Sequence, residues 1–222
     1  MKKLWIGLLL AGLLTGCAGV GFSPAKMDFE KAKGFFNQGK YAEAASYFAK
    51  AVASDPNHGK AHLYLGRSYV NLGQWQKALP PLRTAYRIAP EETRGEVLNV
   101  LMDALLGSAG ALFKKGQFQG GLSQLKEGLG LSEDSPLFFN KALDQILGFG
   151  REMLQKGDAG AAVEAFTETV KMAPENIAGY IGLAKAFFAN GNALKALLTA
   201  KQALSLNPSA QEAKELFNQL VQ

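Results

Sequence analysis

The chain has 222 residues, enough for one sizeable hydrophobic core or one short solenoid. Its formal net charge is +5, and Lys2 and Lys3 lie in a segment with the marks of a removable leader, which leaves +3 for the rest; so mild a basic balance does not suggest a nucleic-acid binder. The single cysteine excludes an internal disulfide framework and a cysteine-based metal cluster.

Residues 1–17 read MKKLWIGLLLAGLLTGC. Lys2 and Lys3 form a positive start, and Leu4 to Leu14 is an apolar run too short for an ordinary membrane-spanning helix. The run ends in Leu14, Thr15, Gly16 and Cys17, which resembles the processing box of bacterial lipoproteins at all four positions. That resemblance implies a signal peptide over 1–16, cut before Cys17. It also implies a diacylglycerol on the Cys17 thiol and an acylated amine. The alternative is an ordinary secretory signal followed by an incidental cysteine, but the sole cysteine falls at this one position. Several acyl chains anchor a protein durably, at about 0.8 kcal/mol per buried CH₂. Ala18, rather than aspartate, follows the cysteine. By the sorting rule of that family, this implies the periplasmic face of the outer membrane in a diderm bacterium. Residues 17–24 then read as lipidated cysteine and short tether. Fully extended, the seven residues 18–24 span roughly 23–25 Å, so the folded part is expected close to the membrane.

From residue 25 onward the chain reads as helix pairs. A first pair is expected near 26–38 and 41–54, the second helix carrying Tyr41, Ala44, Phe48 and Ala51 at helical spacing. The stretch 59–92 carries His62, Leu65, Gly66 and Tyr69, then Gly73, Ala78, Leu82, Ala85 and Pro90. Pro80 and Pro81 fall inside its second helix, where two missing amide donors should kink the helix or delay its start. Two longer units follow, over 93–136 and 137–176. Their added residues precede the first helix of each, and the apolar stretches 97–104 and 137–146 are expected to lengthen those helices by about two turns. Ser135 and Pro136 read as N-cap and first helical residue. The lengthened helices would serve either as a partner-specific ledge or as a local thickening of the stack. A fifth unit covers 177–210. A final amphipathic cap helix is expected over 209–221, with Leu216 and Leu220 on the stack and Gln211, Lys214 and Asn218 toward solvent.

One pattern ties these units together. Turn glycines recur at Gly39, Gly73, Gly116, Gly157 and Gly191, 34, 43, 41 and 34 residues apart. A fixed offset before each falls on Ala32, Gly66, Ala109, Gly150 and Ala184, and a fixed offset after it on Ala44, Ala78, Gly121, Ala162 and Ala196. Small residues at those places let two antiparallel helices approach closely. Prolines at 56, 90, 174 and 208 end four of the units, and Glu133 stands at that place in the third. The pattern resembles the tetratricopeptide repeat, a helix–turn–helix unit of about 34 residues. The resemblance covers 25–222 and implies an all-α fold. It would be a right-handed superhelical solenoid of about five repeats plus a C-terminal cap helix.

In that family the first helix of each pair lines a concave surface, and the fifth, ninth, twelfth and thirteenth positions of a repeat commonly meet ligands. Carried over, the fifth positions are Phe29, Leu63, Leu106, Leu147 and Ile181. The twelfth are Phe36, Val70, Phe113, Leu154 and Phe188. The ninth are Lys33, Arg67, Gly110, Arg151 and Lys185, and the thirteenth include Asn37, Asn71, Lys114 and Gln155. The result is a basic ladder between apolar rows, suited to an extended or helical segment with apolar side chains and spaced carboxylates. The alternative is that the apolar rows pack between repeats and the cations form a solvated face. The carboxylate-clamp pattern of chaperone-binding relatives is not reproduced: Phe29 stands where it wants a lysine and Lys33 where it wants an asparagine.

His58 and His62 are the only histidines and have no cysteine or acidic ligand cluster beside them, so no metal or cofactor is expected. No nucleophile–base pair can be nominated, and the chain is not expected to be an enzyme. Repeats behind a lipobox resemble the pilotin-type lipoproteins of type IV pilus biogenesis, which help secretin channels assemble. That resemblance implies a lipid-anchored scaffold with an envelope protein or peptide segment in its groove, the membrane as a second partner, and no nucleic acid. Alternatives are an adaptor for peptidoglycan enzymes and an enzyme with an unrecognised site in the groove.

Overall fold

A computed structural model describes residues 23–132 and 135–221. The described chain is all helical. It runs α1 (Pro24–Asn37), α2 (Tyr41–Ser54), α3 (Gly59–Asn71), α4 (Trp75–Ile88), α5 (Glu91–Lys114), α6 (Phe118–Leu131), α7 (Pro136–Gln155), α8 (Ala159–Met172), α9 (Ile177–Ala189), α10 (Ala193–Leu206) and α11 (Gln211–Leu220). Each helix packs against the next, forming a solenoid of helix pairs. The odd-numbered helices are the A helices of the repeats and the even-numbered ones the B helices. Cys17 and its flanking residues, and Glu133, lie outside the described residues.

Among the described residues, the five turn glycines are the five with positive φ, at 73°, 66°, 72°, 80° and 76° for Gly39, Gly73, Gly116, Gly157 and Gly191. At each, the glycine N–H donates three residues back and the next N–H donates five back. At the second turn these bonds are Gly73 N to Val70 O at 2.9 Å and Gln74 N to Tyr69 O at 2.9 Å. This double closure pairs carbonyls that a helix end otherwise leaves open, and it demands the left-handed conformation that glycine adopts without steric cost. Beyond the turns, Ala32, Ala44, Ala78, Ala109, Ala162, Ala184 and Ala196 are fully enclosed, and Gly66, Gly121 and Gly150 are buried with them. A Cβ on Gly150 would stand 2.9 Å from Phe166 Cζ. The A and B helices thus meet where the sequence supplies no bulk.

Of the two outcomes expected of Pro80 and Pro81, a kink or a delayed start, the delayed start does not occur. α4 begins at Trp75, two residues after its glycine, as the other B helices do, and continues through Pro80 and Pro81. The carbonyls that lose their amide partners belong to Gln76 and Lys77, exposed residues of the first turn where water can replace the donor. The lengthening of repeats 3 and 4 falls in α5 and α7, of 24 and 20 residues against 13 for α3 and α9. α5 already begins at Glu91, ahead of the stretch 97–104. The added turns bury Val97 and Leu101 of α5 and Phe138 and Ala142 of α7, so they thicken the stack. Ser135 caps α7, its hydroxyl accepting from Phe138 N at 3.3 Å, with Pro136 at the first helical position. Likewise Ser23 caps α1 and Pro24 is its first residue, so Pro24 belongs to the helix rather than the tether. α5 is long and apolar enough to cross a membrane by length and composition, yet half of its apolar window is buried in the array, as a core helix requires.

The two sides of the stack are joined differently. Beyond sequential neighbours, the helices that come close are α3 with α5, α5 with α7, α7 with α9 and α9 with α11, all A helices. Three successive B helices, α4, α6 and α8, are instead bridged by long side chains. Arg83 of α4 makes an ion pair with Glu127 of α6 at 2.5 Å, Lys126 of α6 pairs with Glu168 of α8 at 2.6 Å, and Gln119 hydrogen-bonds Glu164. The A helices therefore line the tighter, inner side and the B helices the outer one.

Candidate groove on the A-helix side

The whole fifth-position row is core. Phe29, Leu63, Leu106, Leu147 and Ile181 are all buried. Phe29 sits 5.6 Å from the ring of Phe48 and 4.7 Å from that of His58. In the twelfth-position row Phe113 is buried, its ring 5.3 Å from Phe149. Phe36 is half-buried, edge-on to Tyr41 and Tyr64 at 5.2 Å each. Val70 and Leu154 are half-buried, and Phe188 is 47% exposed. These rows fill the space between repeats first and offer a ligand only their fringes.

Most cations of the ladder are neutralised by the protein itself. Arg67 of α3 makes an ion pair with Glu96 of α5 at 2.8 Å, and Lys185 of α9 pairs with Glu212 of α11 at 2.7 Å. Lys33 lies 3.9 Å from Glu30 on its own helix and 5.8 Å from the centre of the Phe29 ring. Asn71 spends its amide on the carbonyl of Arg67 at 2.8 Å. Arg151 is different. It is exposed and has no ion pair among the described residues. The reason lies in the repeat. Lys185 and Arg151 are equivalent, 34 residues apart, and Glu212 has its equivalent in Ala178. The step that supplies a carboxylate to Lys185 supplies a methyl group to Arg151. Sequence reasoning alone missed Glu96 and Glu212, which lie 29 and 27 residues beyond their partners. The signal available was an acid early in the next A helix.

Two clefts open along these residues. The larger, of about 800 Å³, lies among the first three repeats and is lined by Phe29, Lys33, Leu63, Lys60, Glu30, Asp55 and Glu96 among others. Its charges are mixed. The smaller, of about 310 Å³, has a floor of Leu154, Phe166, Ile181 and Gly182, with Arg151, Gln155, Lys185 and Glu212 also lining it. There a planar guanidinium without a carboxylate of its own stands beside apolar surface, an arrangement that receives a carboxylate and a neighbouring apolar side chain.

The histidines serve the backbone. His58 caps α3, its Nδ1 accepting from Ala61 N at 3.2 Å, and His62 Nε2 donates to the carbonyl of Pro56 at 3.0 Å. Among the described residues no group of three or more histidine, cysteine, aspartate or glutamate side chains converges as a metal site would require.

Paired helices stacked with a shared inner face define an α-solenoid interaction scaffold. The chain belongs to the tetratricopeptide-repeat family, whose models match residues 29–93 and 153–220, together more than half of it. The unmatched middle, 94–152, holds most of the two lengthened helices, α5 and α7. Among curated proteins it is similar to a DnaJ homolog subfamily C member 7 homolog of Schizosaccharomyces pombe, 23% identical over 84% of this chain and 40% of that protein. It is also similar to Hsp70-Hsp90 organizing protein 3 of Arabidopsis thaliana, 30% identical over 32% of this chain and 13% of that protein. The chain thus spans less than half the length of either relative. Among solved structures, a TPR repeats protein from Bacteroides fragilis superposes with a TM-score of 0.64 at 15% identity, over 90% of this chain and 99% of that one. This likeness is one of fold.

Proposed function

We propose that the protein is a lipid-anchored scaffold, attached through Cys17 to the periplasmic face of the outer membrane. In this reading it holds a segment of an envelope protein during pilus or secretin assembly. The observation that carries the binding part is Arg151, a cation without its own carboxylate above the apolar floor of Leu154 and Ile181. The segment it suits is extended or helical and presents a carboxylate next to an apolar side chain. The anchor and its location rest on the Leu14–Cys17 box and Ala18. The chaperone association in the names of the two relatives is not carried over, because Phe29 and Lys33 replace the residues of a carboxylate clamp.

A photo-crosslinker at Gln155 in intact cells, followed by identification of the captured protein, tests the reading. A secretin or pilus subunit supports it. Peptidoglycan hydrolases or synthases would instead establish the adaptor role. Turnover of an envelope substrate by the purified protein, abolished by one polar substitution in the groove, would replace both with an enzyme.

A further inference from the structure

The outer ridge of the last B helix departs from the other four. Three residues after the turn glycine stand Ala42, Gln76, Gln119, Gly160 and Leu194, and seven after it stand Ser46, Pro80, Ser123, Glu164 and Leu198. All ten are exposed, so the fold places them alike in every repeat. Four repeats fill these positions with small or polar residues or proline. α10 fills both with leucine, 69% and 55% exposed, on one face at a spacing of four. Nothing in the stack needs them.

The charges around the pair are of one sign. α10 carries Lys195 and Lys201 and no carboxylate. Lys195 Nζ lies 5.4 Å from the centre of the Phe187 ring. Lys201 stands ten residues after its glycine, the place from which Arg83 and Lys126 reach a glutamate on the following B helix. No B helix follows α10 among the described residues, and Lys201 makes no ion pair among them. Over the five B helices, eight lysines and arginines stand against four glutamates, whereas the A helices are close to balance. The outer side is therefore the cationic one.

We propose that the outer ridge of α10 rests on an anionic lipid surface, with Leu194 and Leu198 entering the acyl boundary and Lys195 and Lys201 at the headgroups. The two leucines are exposed, and neither of the two clefts described above includes a residue of α10. A protein partner would need a complementary groove and about 1,200–2,000 Å² of total buried surface, far more than two leucines supply. An antiparallel second copy centred on Leu198 would set Lys201 against the copy's own Lys195. A bilayer needs no matching shape. It takes apolar side chains flanked by lysines, and anionic headgroups favour the charge. This contact is distinct from acylation at Cys17. α10 lies at the other end of the stack from α1, the first described helix, so an anchor ahead of α1 and this ridge together would hold the array along the membrane.

The test uses the full chain with Cys17→Ser and an environment-sensitive fluorophore at Ser205→Cys, on the same ridge. The chain is bound to vesicles of phosphatidylcholine with or without phosphatidylglycerol, the acyl chains brominated as quenchers. A matched probe at Ser123→Cys reports a ridge without leucines. The expected result is quenching at 205 but not at 123 on phosphatidylglycerol vesicles, weakened at least about threefold by Leu194→Gln with Leu198→Gln and by raised salt. Far-ultraviolet circular dichroism of the double variant checks that it stays folded. A probe at 205 that remains unquenched on vesicle-bound protein, or equal quenching in the double variant, overturns the proposal.

Discussion

Phe166 of α8 and Gly182 of α9 occupy one space: a Cβ on Gly182 would overlap the ring, which is itself fully enclosed. The same ring also abuts Gly150 of α7. One phenylalanine thus pins the helix before it and the helix after it, and it does so because both A helices leave out a side chain where it arrives.

That relationship separates packing from helix propensity. Alanine is favoured over glycine inside a helix by about 1 kcal/mol. Gly34→Ala, at an exposed site in α1 with nothing within 4 Å, should therefore raise the melting temperature. Gly182→Ala should lower it, because overpacking costs about 1–3 kcal/mol and each 1 kcal/mol moves a chain of this size by about 2–4 °C. Calorimetry of the two variants checks both signs, and a stabilised Gly182→Ala would show that the interlock is loose.

Gly73 tests backbone strain alone. Its φ is 66° and no atom lies within 4 Å of an added Cβ. Gly73→Ala should destabilise by about 1–2 kcal/mol, with Gly73→Asn costing less, since asparagine tolerates the left-handed region. Chemical denaturation gives the ordering; equal stability of all three would contradict a strained turn.

Arg151 and Arg67 hold equivalent positions in unequal surroundings. Arg151→Glu should weaken capture of a partner segment about tenfold, the value of one charge-assisted contact of about 1.4 kcal/mol. Arg67→Glu, beside Glu96, should act mainly on the junction of α3 and α5, with stability falling by less than about 1 kcal/mol. Capture measured beside melting temperature distinguishes the two, and identical capture profiles would remove Arg151 from the site.

Glu168 sets an acid limit on the outer side. The hydrogen bond from Lys126, with Lys171 adding its charge, holds the carboxyl below its ordinary value of 4.5. The folded chain therefore takes up this proton less readily than the unfolded chain. The stabilisation is complete above pH 4.5 and is lost as the pH falls through the lower folded value. Glu168→Gln should cost about 0.5 kcal/mol at neutral pH, a gap that closes on acidification. Melting curves of both proteins from neutral pH into the acid range give the comparison; a gap that persists unchanged at the lowest pH would rule out this linkage.

Repetition made the fold legible. Five glycines and ten small residues at constant offsets impose turns and close crossings locally, and each recurs in the structure because a positive φ and a missing side chain act within a few residues. The unbroken course of α4 through Pro80 and Pro81 was less legible. Proline removes amides, but whether the freed carbonyls matter depends on water reaching Gln76 and Lys77.

The amino-acid order by itself determined the class of fold, the positions of the turns and the motif around Cys17. The tertiary structure decided which groove residues remain available. Leu147 and Phe113 look like ligand contacts until the next repeat covers them, and Arg67 and Lys185 look like free cations until Glu96 and Glu212 arrive from the following helix. Burial and ion pairing are set by stacking between residues roughly thirty positions apart, so a local pattern identifies the position while only the neighbouring repeat settles what that position can do.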